Sequence, residues 1–205
     1  MMTRDADIRR PLHQWLIREH QNDPDAVVLQ EVKIPRPSAR IDMAAINGQL
    51  CGYEIKSDVD SLVRLRHQVK SFNVIFDNVS IVTTARHLKS AADLLPQWWG
   101  ILLMEARGLV EERAPERNHL IDPVARLHML DRAELYELGT RVGCPKIGAR
   151  STRAILIQSI ILLASPDDVA FHVRSLLKGR AGRGQNQSSE SSSSVSSGPV
   201  TASCL

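Results

Sequence analysis

Two carboxylates and an ammonium group stand close together in the first quarter of the chain, on segments with the composition of strands. Asp42 is followed by Glu54, and Lys56 lies two residues further on. Residues two apart on a strand share a face, so the side chains of Glu54 and Lys56 point the same way. If Asp42 reaches the same point, the three groups can bind a divalent metal ion and activate water beside a phosphate. Taken alone, Glu-x-Lys is more often a solvated charge pair on an exposed strand.

A hairpin must bring these groups together. Two strand-like segments, 40–46 and 49–57, flank the turn signal Asn47-Gly48. A regular two-residue turn at this point would send the two carboxylates to opposite faces of the hairpin, because side chains alternate along a strand. The shared site therefore predicts a three-residue loop, 46–48, with Gly48 in the left-handed conformation, or a bulge nearby.

The remaining pattern predicts an α/β core followed by helices. The predicted helices of the core are 5–20, 61–76 and 88–94, and its strands are 26–34, 40–46, 49–57, 79–84, 98–104 and 109–112. Helical patterns alone follow, over 123–130, 132–142, 152–163 and 167–177. The sequence thus predicts a core with a mixed sheet and helices on both faces over residues 1–114, a helical extension over 115–178, and a disordered serine-rich tail over 179–205.

Composition limits the classes of function without selecting one. The chain of 205 residues is 43% hydrophobic with a net charge of +3, which fits a globular domain and permits an anionic partner. Three widely spaced cysteines predict a reducing compartment and neither a disulfide framework nor a Cys-x-x-Cys metal site. The start lacks the apolar core of a signal peptide, and the apolar stretch 154–164 is shorter than the about 20 residues of a membrane helix. We therefore expect a soluble cytoplasmic protein without a membrane partner.

The charged block and the order of elements resemble a known superfamily. Asp42 and the Glu54-Ile55-Lys56 run, in an α-β-β-β-α-β order, resemble the PD-(D/E)XK, or restriction-endonuclease-like, nucleases. Gln68 resembles a glutamine that follows this motif in some branches. At Ile41 the chain departs from the pattern, because the proline that names the motif would stand there.

A narrower resemblance is to an uncharacterised family of small bacterial proteins. The shared features are the Arg-x-Asp and Gly-Tyr-Glu-Ile-Lys-Ser block, the segment from Arg64 to Gln68, and Trp98-Trp99-Gly100. The resemblance covers about residues 4–112 and is weaker in the helical extension.

The resemblance implies a metal-dependent nuclease that hydrolyses DNA phosphodiesters with activated water. Asp42 and Glu54 would bind Mg²⁺, or Mn²⁺ in its place, with help from the Ile55 main-chain carbonyl. Lys56 would orient the attacking water and stabilise the transition state, and Gln68 would assist. The alternative is a DNA- or protein-binding module that keeps the nuclease fold while chemistry is slow or absent. A defence or toxin-like effector with the same chemistry is a third interpretation.

Three more polar residues have both a functional and an ordinary interpretation. Glu31 is the favoured further metal ligand, ahead of Glu19, but is equally well a surface acid of its strand. Arg40 is placed to grip a phosphate, or else to orient Asp42 through a salt bridge. Gln68 is otherwise a polar position of its helix.

The connection between two predicted helices, residues 143–153, contains basic residues and no acid. Lys146, Arg150 and Arg153 are candidates for contact with the nucleic-acid backbone, and Ser151 or Thr152 would cap the second helix. The ordinary interpretation is a solvated linker. The sequence is also compatible with a homodimer.

Overall fold

The helices and strands follow the order that the sequence predicts. The computed structural model describes residues 2–35 and 38–190, with their side chains as far as Arg180. The helices are α1 Asp5–Glu19, α2 Leu65–Asn73, α3 Ala85–Leu94, α4 Pro123–Leu127, α5 Arg132–Arg141, α6 Arg153–Ile161 and α7 Pro166–Glu190. The strands are β1 Val27–Pro35, β2 Ser38–Ile46, β3 Leu50–Lys56, β4 Asn78–Thr83, β5 Gly100–Glu105 and β6 Gly108–Arg113. The predicted mixed α/β class is confirmed.

These strands form one sheet in the order β1-β2-β3-β4-β5-β6. The first three are antiparallel neighbours, β3, β4 and β5 run parallel, and β6 returns antiparallel to β5. Parallel neighbours need a crossover, and α2 supplies it between β3 and β4. The sheet is therefore mixed, as the hairpin followed by a helix and a strand predicts.

The hairpin between β2 and β3 has the register that a shared site requires. Ile46 pairs with Leu50, and the pairing continues in step as far as Met43. This register brings Asp42 and Glu54 to equivalent positions of their strands, one step beyond the last paired residues. The central condition that the sequence sets for the site is met.

The loop that sets this register differs from the predicted one. It has three residues, as predicted, but it spans 47–49 rather than 46–48, and Gly48 is not left-handed, so the predicted position and the predicted glycine conformation are wrong. The Asn47 side-chain oxygen accepts a hydrogen bond from the Gln49 N–H at 2.9 Å. This local bond closes the loop without a left-handed residue.

Two hydrophobic clusters lie on the two faces of the sheet. α1 covers one face with Ile8, Leu12 and Leu16, which recur at helical spacing and are fully buried. The other face packs against α2, α3 and the later helices in a second, larger cluster. The charged end of β3 therefore lies between α1 and α2, which belong to opposite faces.

The helical extension shares the larger cluster with the sheet. Arg126 of α4 is buried, and its guanidinium donates to the Asp77 carboxylate and to the Ile75 carbonyl, each at 2.7 Å. Arg180 of α7 pairs with Glu134 of α5 at 2.5 Å. α7 continues to Glu190, beyond the point where the sequence predicts disorder, and residues 191–205 lie outside the described chain.

Candidate functional site

The site forms where β2 and β3 stop pairing. Beyond the Met43–Tyr53 pair, the Ile55 N–H donates to Oδ2 of Asp42 at 2.8 Å instead of to a strand carbonyl. Asp42 thus stands at the opening between two strands, held by the backbone of β3. The sequence predicts a site at this place, and the hairpin register puts it there.

Glu54 and Lys56 form a buried pair on the same face of β3, as their spacing predicts. Lys56 Nζ lies 2.6 Å from Glu54 Oε1, and Gln68 of α2 donates its Nε2 to the same oxygen at 2.5 Å. The Thr83 hydroxyl of β4 donates to the Lys56 carbonyl at 2.8 Å and fixes this strand end. The structure thus joins three of the predicted residues, Glu54, Lys56 and Gln68, in one network.

Two oxygens of this network are left without partners. Glu54 Oε2 and Gln68 Oε1 are buried and accept no hydrogen bond from any described residue. A buried polar atom without a partner costs about 1–3 kcal/mol, so it is uncommon in a settled core. These two acceptors require a hydrogen-bond donor or a cation, and no described residue supplies one.

Asp42, Glu54, Lys56 and Gln68 line one cleft of about 780 Å³. Its lining combines buried Glu54 and Lys56 with three exposed basic side chains, which we call the basic rim: Lys33, Arg40 and Arg64. The other residues that line the cleft are Asp5, Arg9, Ser38, Ala39, Ile55, Asp60 and His67. A cation and an anionic group would therefore each find charges of opposite sign in the same cleft.

Burial raises the pKa of both carboxylates. Burial raises the pKa of Glu54 to about 7; the Lys56 ammonium opposes this rise and the nearby Asp42 carboxylate adds to it. Burial also raises the pKa of Asp42, while the Ile55 N–H and the Arg9 guanidinium lower it. Near neutral pH, a proton and a metal ion would compete for Glu54.

Arg9 is a site residue that the sequence analysis missed. Its Nη2 lies 2.9 Å from Asp42 Oδ1, and its Nη1 lies 2.9 Å from Glu31 Oε1. The contact joins α1 to β2 across 33 residues of sequence. The sequence held one signal for this role. Arg9 follows Ile8 in the apolar stripe that Ile8 and Leu12 form on α1, so it lies at the edge of the helix face that packs on the sheet.

Glu31 and Arg40 pair with each other, and among the described residues the side-chain partners of Asp42 are Arg9 and the Ile55 N–H. Arg40 Nε lies 2.6 Å from Glu31 Oε2, and the other oxygen of Glu31 pairs with Arg9. The salt bridge that orients Asp42 therefore comes from Arg9 rather than Arg40. Roles of Glu31 as a metal ligand and Arg40 as a phosphate contact stay predictions.

The basic connection between α5 and α6 contains residues of different kinds. Lys146 and Arg150 are exposed, whereas Arg153 donates to the carbonyls of Leu130 and His128 at the end of α4. Arg153 thus has a structural partner on each side of its guanidinium. Contact of all three basic residues with nucleic acid stays a prediction.

The side chains of the cleft supply only part of a coordination sphere for Mg²⁺. Within the described chain, no three His, Cys, Asp or Glu side chains converge as a metal-binding group. Mg²⁺ often keeps several waters and takes one or two protein carboxylates together with phosphate oxygens. Asp42, Glu54 and the unpartnered Gln68 oxygen match that donor set, and the role of the Ile55 carbonyl as a further ligand stays a prediction.

The fold and the cleft define an α/β protein in which acidic and basic side chains line one cleft. The family described as bacteriophage P4 protein cII matches residues 2–195, and the chain belongs to this family. Protein cII of Enterobacteria phage P4 is 38% identical over 81 residues. That match spans 40% of this chain and 30% of the phage protein. A protein of unknown function from Silicibacter pomeroyi aligns at 15% identity with a TM-score of 0.43, over 73% of this chain and 99% of its own.

The family match corrects the resemblance drawn from the sequence. Assignment to the PD-(D/E)XK superfamily is wrong, because the matching family is that of phage P4 protein cII. The nuclease function is overturned with it, and so is the alternative of a catalytically silent module on a nuclease fold. A nucleic-acid partner, which does not depend on that fold, stays a prediction. The motif is short, and a hairpin with an acidic and a basic residue forms a similar charge cluster in unrelated settings.

A helix that could cross a membrane is not found in residues 2–35 and 38–190.

Proposed function

We propose that the cleft binds a divalent cation, Mg²⁺ in the first place, together with a phosphate group of DNA. The cation would lie between Asp42 and Glu54. The phosphate would complete its coordination and contact the basic rim. Binding, and not cleavage, is the function proposed.

The observation that carries the proposal is the pair of buried oxygens without partners. Glu54 Oε2 and Gln68 Oε1 both belong to residues that line the cleft. Since Lys56 and the Gln68 amide already occupy Glu54 Oε1, the second carboxylate oxygen is the one left for a ligand. Oxygen acceptors of this kind suit a hard cation.

Because the proposed site has only two carboxylates, it favours a cation that the protein and a phosphate bind jointly over a cation that protein groups bind alone. Two carboxylates and an amide oxygen leave several positions of an octahedral Mg²⁺ to water or to a ligand. A phosphate oxygen is the usual occupant of such a position. This explains why acidic and basic residues line the same cleft.

The rim provides charges for the phosphate. Lys33 and Arg64 are exposed and line the cleft, and His67 lies beside them with Nε2 3.0 Å from the Ser38 carbonyl. Lysine and arginine contacts to phosphate give affinity without reading sequence. We therefore expect binding that depends on salt and weakly on DNA sequence.

The test is binding of a fluorescently labelled DNA duplex, followed by anisotropy at constant ionic strength with Mg²⁺ or with EDTA. We expect the Kd to be at least about tenfold lower with Mg²⁺. Glu54→Gln removes the proposed ligand charge and should abolish this difference. Asp93→Asn, which removes an exposed acid of α3, is the matched control and should keep it. Equal affinity with Mg²⁺ and EDTA would contradict the proposal.

Other expectations from the sequence are independent of this proposal. That the chain is an enzyme, forms a homodimer and is cytoplasmic all stay predictions. Cation-assisted binding of phosphate requires none of them.

A further inference from the structure

Arg9 connects three acidic residues around the mouth of the cleft. Its Nε and Nη2 contact the two carboxylate oxygens of Asp5 at 2.7 and 3.0 Å. Its Nη1 also donates to the Asp42 carbonyl at 3.2 Å, so the guanidinium holds both the main chain and the side chain of that residue. The planar fork of arginine suits such a multiple contact, which lysine cannot reproduce.

The strand opposite Asp42 is irregular at the same point. Glu31 has a φ of 55° within β1, and the ladder with β2 skips the Glu31–Asp42 position. A left-handed non-glycine residue is sparsely populated and persists only where its surroundings hold it. Arg9 and Arg40 each take one oxygen of Glu31, so these two arginines supply that hold.

We propose that Arg9 is a positioning residue that presents Asp42 to the cation. This inference rests on the proposed cation site and names the residue that orders it. Arg9 takes one lone pair of Oδ1 and the Ile55 N–H takes one of Oδ2, so the carboxylate plane is fixed from both sides. Each carboxylate oxygen keeps a second lone pair for a ligand.

Charge and positioning predict opposite effects when Arg9 is replaced. Arg9 carries a positive charge close to the proposed cation, so its removal by electrostatics alone would tighten cation binding. If Arg9 instead holds Asp42 in place, its removal loosens the carboxylate and weakens cation binding. The sign of the change therefore separates the two roles.

The experiment is a titration of the full chain with Mn²⁺, followed by the loss of the free-ion electron paramagnetic resonance signal. We expect Arg9→Gln to weaken Mn²⁺ binding about tenfold relative to wild type. Arg9→Lys keeps the charge without the fork and should fall between the two. Arg10→Gln removes the same charge from the exposed face of α1 and should stay within about twofold of wild type.

Urea unfolding of each variant is measured alongside, so that affinities are compared only for folded protein. Unchanged or tighter Mn²⁺ binding by Arg9→Gln overturns the positioning role while the cation site stands. If Arg9→Gln does not fold, Arg9→Lys takes its place. An Mn²⁺ affinity of Arg9→Lys equal to that of the wild type then overturns the positioning role. Absence of Mn²⁺ binding by the wild type overturns both the cation site and the role of Arg9.

Discussion

Two buried ion pairs lie at opposite ends of β3, and they differ in how completely their atoms are satisfied. At the start of the strand, Asp77 accepts from Arg126 with Oδ1 and from the Leu50 N–H with Oδ2, both at 2.7 Å. At the other end, Lys56 and Gln68 share one oxygen of Glu54, and the second oxygen accepts nothing from the described residues.

The two pairs differ in how completely the cost of burying a charge is offset. A buried charge costs several kcal/mol to desolvate unless it is paired and all its hydrogen bonds are made. The Asp77 pair meets this condition and fixes α4 to the sheet. The Glu54 pair does not, because Oε2 has no partner among the described residues, and this is the oxygen that we propose as a cation ligand.

The largest expected effect comes from breaking the satisfied pair. Arg126→Met leaves Asp77 buried without its cation and should lower the free energy of unfolding by about 3–5 kcal/mol in urea titrations. Lys56→Met should cost less, because removal of the ammonium lets Glu54 bind a proton near pH 7. Equal losses in the two variants would contradict the distinction.

The second effect is a pH dependence that belongs to the unsatisfied pair. Burial raises the pKa of Glu54 from an ordinary 4.5 to about 7, so folding favours the protonated carboxyl. The corresponding stability is present below about pH 4.5 and is lost as the pH rises through about 7, by roughly 3 kcal/mol at most. Urea unfolding in EDTA between pH 4.5 and 8 measures this slope.

The matched variant for this slope is Glu54→Gln, which carries no titratable group at the position. Its stability should fall less steeply over the same range than that of the wild type. A wild-type slope equal to that of Glu54→Gln would show that Glu54 titrates normally in the folded chain.

The smallest effect compares the amide of buried Asn118 with that of half-buried Gln68. Asn118 donates to the Asn73 and Phe76 carbonyls and accepts from the Leu120 N–H, so Asn118→Ala should cost about 2 kcal/mol. Gln68→Ala removes one donated hydrogen bond, to Glu54, and an acceptor that has no partner among the described residues, so it should cost less than Asn118→Ala. Thermal unfolding of both variants measures this order, and the reverse order would contradict it.

Most of the fold could be predicted from the local spacing of residue types along the chain. Alternation placed Glu54 and Lys56 on one face, and the parity of the hairpin set the condition, a three-residue loop or a bulge, under which Asp42 shares that face; the structure meets it. The loop details failed because a side-chain bond of Asn47, and not the backbone of Gly48, closes the turn. Whether two residues of a hairpin share a face depends on the number of residues between them. The conformation of the loop depends instead on which local hydrogen bonds form.

Contacts between distant segments could not be predicted in the same way. Arg9 reaches Asp42 across 33 residues, and Arg126 reaches Asp77 across 49. Nothing in the local sequence of α1 or α4 specifies which part of the sheet each helix covers. The family was also predicted wrongly, because three charged residues on a hairpin indicate which groups lie together and do not identify the family of the chain.

The most direct test of the cation site is a crystal structure of the wild-type chain with Mn²⁺, located by its anomalous scattering. We expect an anomalous peak in the cleft between the carboxylates of Asp42 and Glu54, with Glu54 Oε2 as a ligand. Glu54→Gln crystals soaked under the same conditions should lack it. A peak elsewhere, or an empty cleft with Glu54 Oε2 still without a partner at saturating Mn²⁺, would contradict the account.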